Sequence, residues 1–522
     1  MIVEDQTELI EFLSHPSAYS PPVTRVDRID THAAAVFLAG SRAYKLKRAV
    51  RYDYLDFSTL ERRRRFCEAE VALNRPMAPS LYEGVTPITR DAGGRFAIGG
   101  TGQVVDWLVV MRRFDDELLL DRVAERGHLD VGLMAPLARA VADLHAAAEP
   151  RSDKGGVEGM RWVVDGNEQA FRDDVGSILD PAVCADVIAA SRRAIDCHAA
   201  LLDDRRRTGA VRHCHGDLHL GNIVLLDGRP VPFDGVEFND DISCVDVLYD
   251  LAFLLMDLWR RELHRHANEL FNAYLAAIGG TDESYRALAL LPLFLSCRSA
   301  VRAKITATGS RLQPDRAHAD QLAQTASTYL DEAAVLIAPP APRLVAIAGL
   351  SGSGKSTLAR HIAHLIGAAP GAVVLRSDVI RKQLAGVDET HRLDASGYTP
   401  EMNARVYGRL MSNAALIVGA GHAVVVDAVF ARDEERRNLE HVARTAGVAF
   451  CGIELDAPVE TLKARVRQRS GDASDATTEI VDLQAHERHV ARGRSDAWPV
   501  VDAASEIDIV SSRVRTAIAR VL

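Results

Sequence analysis

The chain has 522 residues, 48% apolar and 26% charged, the composition of a globular protein of about two to four domains and not of a disordered or membrane-embedded one. Its formal charge of −10 weighs against a nucleic-acid partner, since a phosphate backbone needs a basic face. Seven scattered cysteines without a C-x-x-C spacing point to reduced thiols. The opening Met1-Ile2-Val3-Glu4-Asp5 has neither the basic start nor the apolar core of a signal peptide, so a cytoplasmic location is expected.

Residues 25–112 read as strand-rich, with strands at 34–38, 43–46 and 104–111 and one helix at about 60–74. Arg62-Arg63-Arg64-Arg65 in that helix lies between Glu61 and Glu68/Glu70, the pattern of a solvated face with i,i+4 pairs. Residues 117–337 read as mainly helical, apart from a loop-and-strand section at 211–231. A small sheet lobe followed by a helical lobe is therefore expected over 1–337. Ala338-Pro339-Pro340-Ala341-Pro342 cannot continue a helix and reads as a linker, 338–342. Over 343–522, strands at 344–348, 373–375, 423–426 and 449–455 alternate with helical stretches, which predicts a parallel α/β sheet. The most apolar run, 414–431, is interrupted by His422 and Asp427, so no membrane partner is expected.

The segment 349–356, Gly-Leu-Ser-Gly-Ser-Gly-Lys-Ser, fits G-x-x-x-x-G-K-[ST] between an apolar strand and a helix. Its glycines let backbone N–H groups converge on a phosphate chain, and the helix N-terminus adds positive potential. Gly349, Ser351, Gly352, Ser353, Gly354, Lys355, Ser356 and Thr357 are the candidate nucleotide contacts, with Lys355 on the outer phosphates and Ser356 on Mg²⁺. A second signature is His215-Gly216-Asp217-Leu218-His219-Leu220-Gly221-Asn222, followed by Val231-Pro232-Phe233-Asp234. A loop Asp, an Asn five positions on and a second Asp after a short apolar strand are the layout of kinase-type machinery. His213, Cys214, His215 and His219 leave a zinc site as the alternative, although no second Cys/His cluster lies at finger spacing.

On His215-Gly216-Asp217…Asn222, Phe233-Asp234-Gly235, Asp250-Leu251-Ala252 and the stretch 137–145, residues 25–335 resemble the aminoglycoside phosphotransferase-like kinases. The resemblance implies Asp217 as catalytic base, Asn222 and Asp234 as Mg²⁺ ligands, and Asp250 as a structural brace. It also implies a strand lysine paired with a helix glutamate. Lys45 in Ala43-Tyr44-Lys45 is the choice, with Lys47 as rival, and Glu70 is preferred over Glu68. The acid-rich Glu237-Phe238-Asn239-Asp240-Asp241 reads either as a solvated loop or as a receiver for a cationic acceptor such as an aminosugar.

Residues 343–522 resemble small P-loop kinases of the zeta-toxin and polynucleotide-kinase type, on the P-loop and on Arg376-Ser377-Asp378-Val379-Ile380-Arg381 after the second strand. The resemblance implies that Asp378 activates the acceptor hydroxyl and that Arg381 contacts substrate or phosphate; helix capping is the alternative for Asp378. Asp427 ends Val424-Val425-Val426 at a Walker-B-like position, suited to Mg²⁺ or substrate. Arg465 and Arg469, with Arg467 between them, look like a lid over the transferring phosphate.

The expectation is an α+β bilobal protein-kinase-like domain followed by an α/β P-loop kinase domain with a parallel sheet. Each would transfer the γ-phosphoryl of ATP, with Mg²⁺, to a hydroxyl of a sugar, aminosugar or related metabolite. A nucleotide-sugar or nucleic-acid-end kinase in the second domain, and a nucleotide sensor with one inactive domain, are the alternatives.

Overall fold

An antiparallel sheet is built from β1 (Val26–Asp30), β2 (Ala34–Ala39), β3 (Arg42–Lys47), β4 (Tyr82–Arg90), β5 (Phe96–Ile98) and β6 (Gln103–Arg112), in the order β1-β2-β3-β6-β4-β5, with β3 and β6 at its middle buried or half-buried along most of their length. The computed structural model describes residues 2–52, 54–174, 178–468, 473–491 and 498–521. Tyr44 and Leu46 of β3 enter one core with Phe37, Leu108 and Val110. Ala43 faces the other way, against α1 (Leu60–Asn74), where Cys67 and Val71 pack with Val109 and Met111. Alternation along β3 therefore puts Lys45 and Lys47 on the α1 side.

Thr59 starts α1 by accepting a hydrogen bond from the Arg62 N–H. The arginine run is not a uniformly solvated face. Arg64 makes the expected i,i+4 pair with Glu68 at 3.0 Å, but Arg63 is fully buried, its Nε 2.9 Å from Asp106 and its Nη2 2.9 Å from Glu4. Asp106 comes from β6, so the counter-charge that draws Arg63 inward is invisible in the local pattern.

The chain divides into two compact units, Met1–Val163 with Ala199–Leu254, and Val164–His198 with Leu255–Leu522. The first adds α2 (Met134–Ala147), the pair β7 (Val211–His213) and β10 (Cys244–Asp246), the hairpin β8 (Ile223–Leu226) and β9 (Arg229–Pro232), and the start of α3 (Val247–Arg260) to the sheet. This is the bilobal kinase-like layout expected from the sequence.

The second unit contains α4 (His264–Ala277), α5 (Asp282–Arg286), α6 (Leu291–Leu312) and α7 (Arg316–Ile337), together with all of the parallel sheet. The division falls inside α3 and inside the helix Gly156–Asp174, not at 338–342. β11 (Arg343–Gly349), β12 (Val373–Arg376), β13 (Val424–Asp427), β14 (Ala449–Asp456) and β15 (Val500–Asp502) run parallel in the order β12-β13-β11-β14-β15. The apolar runs of the inner strands β11 and β13 are buried almost throughout, as expected for strands covered on both faces. Around them lie α8 (Lys355–Ala363), α9 (Ser377–Ala385), α10 (Pro400–Gly419), α11 (Val459–Gln468), α12 (Thr478–Ala491) and α13 (Ile507–Val521). Among the described residues, no helix is long and apolar enough to cross a membrane.

Candidate active sites

The two β3 lysines converge on one carboxylate of α1. Lys45 Nζ lies 2.8 Å from Glu70 Oε1 and 2.5 Å from Asp234 Oδ1. Lys47 Nζ lies 2.6 Å from Glu70 Oε2 and 2.5 Å from Glu237 Oε1. The result is an alternating chain, Asp234–Lys45–Glu70–Lys47–Glu237, that ties β3 and α1 to both ends of the segment 234–237. The lysines differ in access: the Lys47 side chain is 2% exposed and stands 4.9 Å from the Phe57 ring centre, whereas Lys45 is 17% exposed. Burial opposes the charge on Lys45, but Asp234 and Glu70 outweigh it and hold the ammonium well above the usual lysine range. Burial likewise works to raise Glu70, yet Lys45 and Lys47 hold its carboxyl down to about 2.

The segment 215–222 is shaped by a carboxylate beneath it. Asp250, fully buried on α3, accepts from the His215 N–H at 3.2 Å and the Gly216 N–H at 2.8 Å, and contacts His145 Nε2 at 3.1 Å. Gly216 has φ +81°, and a Cβ there would meet Val236 Cβ and Ser243 Cα at 3.2 Å, so the turn needs glycine. His215 Nε2 donates to the Phe233 carbonyl at 2.8 Å, which leaves Nδ1 to accept from the Asp217 N–H at 3.4 Å. The buried imidazole is pushed below its usual pKa by desolvation and stays neutral. Above this base, Asn222 Nδ2 donates to the Asp217 carbonyl at 2.9 Å and to its Oδ2 at 3.0 Å, and His219 Nε2 is 3.4 Å from the same oxygen. The Asp217 side chain is 41% exposed and the Asp234 side chain 44%.

Asp234 sits at φ +62°, a left-handed conformation tolerated by Asp, with its N–H donating to the Tyr82 hydroxyl at 3.1 Å. The next N–H, of Gly235, donates to Asn74 Oδ1 at 2.7 Å, so the last turn of α1 fixes the backbone beside Asp234. The acidic stretch after it is internally paired. Glu237 meets Lys47, Asp240 lies 3.0 Å from Arg151, and Asp241 lies 2.6 Å from Lys154. The four residues of the zinc alternative do not gather at one site: His215 and His219 are placed as above, Cys214 Sγ donates to the Val245 carbonyl and lies with His145 and Asp250, and His213 lies with Asp240 and Cys244, the last two being the groups of potential metal ligands among the described residues.

In the second unit, Gly349, Gly352 and Gly354 all have positive φ, +142°, +83° and +90°. A Cβ on Gly352 would lie 2.5 Å from the Leu462 carbonyl of α11, so only glycine allows α11 this close to the loop. Lys355 Nζ donates to the Leu350 carbonyl at 2.9 Å, and Ser356 Oγ donates to Asp427 Oδ2. Ser353 is buried within the loop, while Thr357 is exposed on the first turn of α8. The Ser351 N–H donates to Gln484 Oε1 of α12 at 3.0 Å.

Asp378 lies in the first turn of α9, but the N-cap position is Arg376, so Asp378 is not the cap residue. Burial raises the Asp378 carboxyl above its usual range; the Asp427 charge adds to this, against Lys355 and Arg376. Arg376 Nε is 3.5 Å from Asp427 Oδ2. Sequence reasoning passed over this residue, although its place at the end of β12, beside Asp378, was a usable signal. Arg381 instead donates to the Gly397 carbonyl at 2.8 Å and covers the Tyr398 ring at 4.6 Å. Lys382 and the Tyr398 hydroxyl both meet Asp475 Oδ2, at 2.5 and 2.8 Å. Arg465 is half-buried on α11, and Arg469 lies outside the described residues.

Both donor sets, Asn222 with Asp234 and Ser356 with Asp427, offer only oxygen atoms, the chemistry that Mg²⁺ takes.

The phosphotransferase enzyme family model matches residues 99–291, and an AAA domain family model matches residues 344–490. The uncharacterized protein Rv2004c of Mycobacterium tuberculosis is 30% identical over 518 residues, 96% of this chain and 95% of that protein. An adenylyl-sulfate kinase of Myxococcus xanthus is 32% identical over 120 residues, 23% of this chain and 60% of that enzyme. Among solved structures, a choline/ethanolamine kinase family protein from Mesorhizobium loti covers 63% of this chain and 98% of its own, at 14% identity and a TM-score of 0.35. The chain thus belongs to the family that includes Rv2004c, and in this chain a phosphotransferase-family region and an AAA-family P-loop region share one polypeptide.

Proposed function

We propose that the chain is a tandem, ATP- and Mg²⁺-dependent small-molecule kinase, with each site moving a γ-phosphoryl group to an alcohol. The observation that carries this reading is the joint presence of a carboxylate suited to a base and a cation suited to phosphate at both sites. In the first unit these are Asp217 and Lys45; in the second, Asp378 and Lys355. A nucleotide sensor needs the cation but has no use for the base.

At the first site Asp217 takes the proton of the acceptor hydroxyl as its oxygen attacks the γ-phosphorus and the bond to the β–γ bridging oxygen breaks, releasing ADP. Asn222 orients the Asp217 carboxylate, and Glu70 holds Lys45 toward the phosphates. At the second site Lys355 would leave the Leu350 carbonyl for the outer phosphates, while Asp378 receives the acceptor proton. Asn222, Asp234, Ser356 and Asp427 would hold Mg²⁺, which when bound neutralises phosphate charge. Arg376, which faces Asp427 and also pairs with Glu389 at 3.4 Å, joins Arg381 as a candidate for a phosphate or acceptor contact, and Arg381 would have to leave Gly397 and Tyr398 to serve. Arg465 and Arg469 remain lid candidates.

For the first acceptor, the paired state of Glu237, Asp240 and Asp241 favours neutral hydroxylated metabolites over aminosugars. The reading places the protein in the cytoplasm, a setting that suits its seven free thiols. The test is a screen of sugars, aminosugars, polyols and, given the adenylyl-sulfate kinase likeness, adenylyl sulfate. It compares the full chain with Asp217→Asn and Lys355→Ala. Products lost selectively in each variant are expected; tight ATP binding with no phosphorylated product would leave only the sensor.

A further inference from the structure

β12 is an edge strand of the parallel sheet, and an open edge presents unpaired N–H and C=O groups. One side of β12 is satisfied by β13, with the Val373 N–H donating to the Ala423 carbonyl at 2.9 Å. Groups that alternate with it, the Ala372 carbonyl and the Val374 N–H, point outward. Two side chains of α4, one helical turn apart, meet them. Asn268 Nδ2 donates to the Pro370 and Ala372 carbonyls at 3.1 and 3.0 Å. Asn272 Nδ2 donates to the Ala372 carbonyl at 3.2 Å, and Asn272 Oδ1 accepts from the Val374 N–H at 2.7 Å. Asn272 Nδ2 also reaches Asn268 Oδ1 at 3.2 Å, so the pair is linked. Two amide side chains thus do for the edge what a further strand would do.

The approach is built in on both sides. Gly371 has φ +98°, and a Cβ there would lie 2.8 Å from Asn268 Nδ2 and 2.6 Å from His364 Cα. Buried His422 contacts the Gly371 carbonyl at 2.9 Å, and its ring stands 5.4 Å from that of Phe271 on α4. A second tie, Arg409 of α10 to Asp282 of α5, spans 2.8 Å. α4 and α5 fall within the residues matched by the phosphotransferase family model, whereas β12 falls within the P-loop match. Two residues beyond Val374 on the same strand is Arg376, whose Nε lies 3.5 Å from Asp427, and two residues later comes Asp378.

We propose that α4 is a working part of the P-loop kinase and that Asn268 and Asn272 are positioning residues for Arg376 and Asp378. The catalytic half of this inference rests on the assignment of Asp378 made above; the clamp itself does not. The full chain is tested as Asn268→Leu, Asn272→Leu and Asn272→Asp, the last keeping an acceptor for Val374 while losing the donor. One readout is hydrogen exchange over 372–380 against 344–349. The other is turnover of Mg·ATP, with water as acceptor, in an Asp217→Asn background.

In Asn272→Leu, exchange over 372–380 should accelerate about tenfold, as expected for lost hydrogen bonds, while 344–349 stays protected. kcat should fall severalfold with KM for ATP unchanged, because the P-loop leaves the central strand β11. Asn272→Asp should keep more protection at Val374 than Asn272→Leu, and it carries the test if the leucine variant does not fold. Unchanged exchange over 372–380, or equal acceleration over 344–349, overturns the clamp. Faster exchange over 372–380 with kcat intact overturns its positioning role. Intact turnover in Asp378→Asn would remove the catalytic assignment and leave the exchange result to judge the clamp alone.

Discussion

Replacing Lys45 or Lys47 by methionine should separate two jobs that the sequence alone leaves interchangeable. In Lys47→Met, Glu70 keeps Lys45, but Glu237 loses its ion-pair partner in a buried setting. The Glu237 carboxyl must then be protonated in the folded state. Taking a group of ordinary pKa about 4.3 to the neutral form at pH 7 costs about 3.7 kcal/mol, within the roughly 3–5 kcal/mol seen when one member of a buried pair is removed. At pH 5 the same step costs about 1 kcal/mol.

A carboxyl whose folded-state pKa is raised gains stability as pH falls, so Lys47→Met should recover between pH 7 and pH 5. In Lys45→Met, by contrast, Glu70 keeps Lys47 and the half-exposed Asp234 keeps water, so a loss of about 1 kcal/mol is expected. Thermal unfolding at both pH values, with ATP turnover in a Lys355→Ala background, reads the difference. Lys47→Met should drop Tm by about 10 °C at pH 7, with partial rescue by Glu237→Gln. Lys45→Met should keep Tm nearly unchanged and lose about 100-fold in turnover. A Lys45→Met protein less stable than Lys47→Met, or a Lys47→Met defect that deepens toward pH 5, would refute this account of the charge chain.

Asp217→Asn should lower transfer at the first site by about 10²–10⁴-fold while ATP still binds, whereas Asp234→Ala should weaken Mg·ATP binding itself; titration calorimetry beside product formation distinguishes them. Because the Asp378 carboxyl is raised by burial and by Asp427, the acid limb of kcat/KM at the P-loop site should lie above the ordinary aspartate range. Arg376→Gln removes a charge that opposes this shift and should move the limb to still higher pH, as a pH–rate profile would record. Asp250→Ala should lower Tm and release the backbone of 215–217, visible as faster exchange there, since it deprives two buried N–H groups of their acceptor.

What the sequence made legible was what short stretches of chain determine. The P-loop glycines, the 217/222/234 spacing, the helix at 60–74 and the alternation of the parallel sheet depend on neighbours a few residues away. Lys45, Lys47 and Glu70 were visible as candidates, but their sharing of one carboxylate depends on Glu237, some 190 residues from Lys47. Arg63 looks solvated in its local sequence, because its buried partner Asp106 is 43 residues distant. The α4 clamp on β12 joins residues about a hundred apart through asparagines, which carry no periodic signal. The proline-rich segment 338–342 announces a break in the helix before it, yet packing groups α4–α7 with the parallel sheet beyond it. Long-range charge pairing and edge capping are decided by topology, and local pattern is silent about both.

The most direct test of two phosphoryl-transfer sites is ADP and product accounting for four full-length proteins: wild type, Asp217→Asn, Lys355→Ala and the double variant. With acceptors drawn from the screen, each single variant should lose one phosphorylated product and keep the other, and the double variant should be silent. If either single substitution abolishes all transfer, or the double variant retains it, the assignment of an independent phosphoryl-transfer centre to each signature is contradicted.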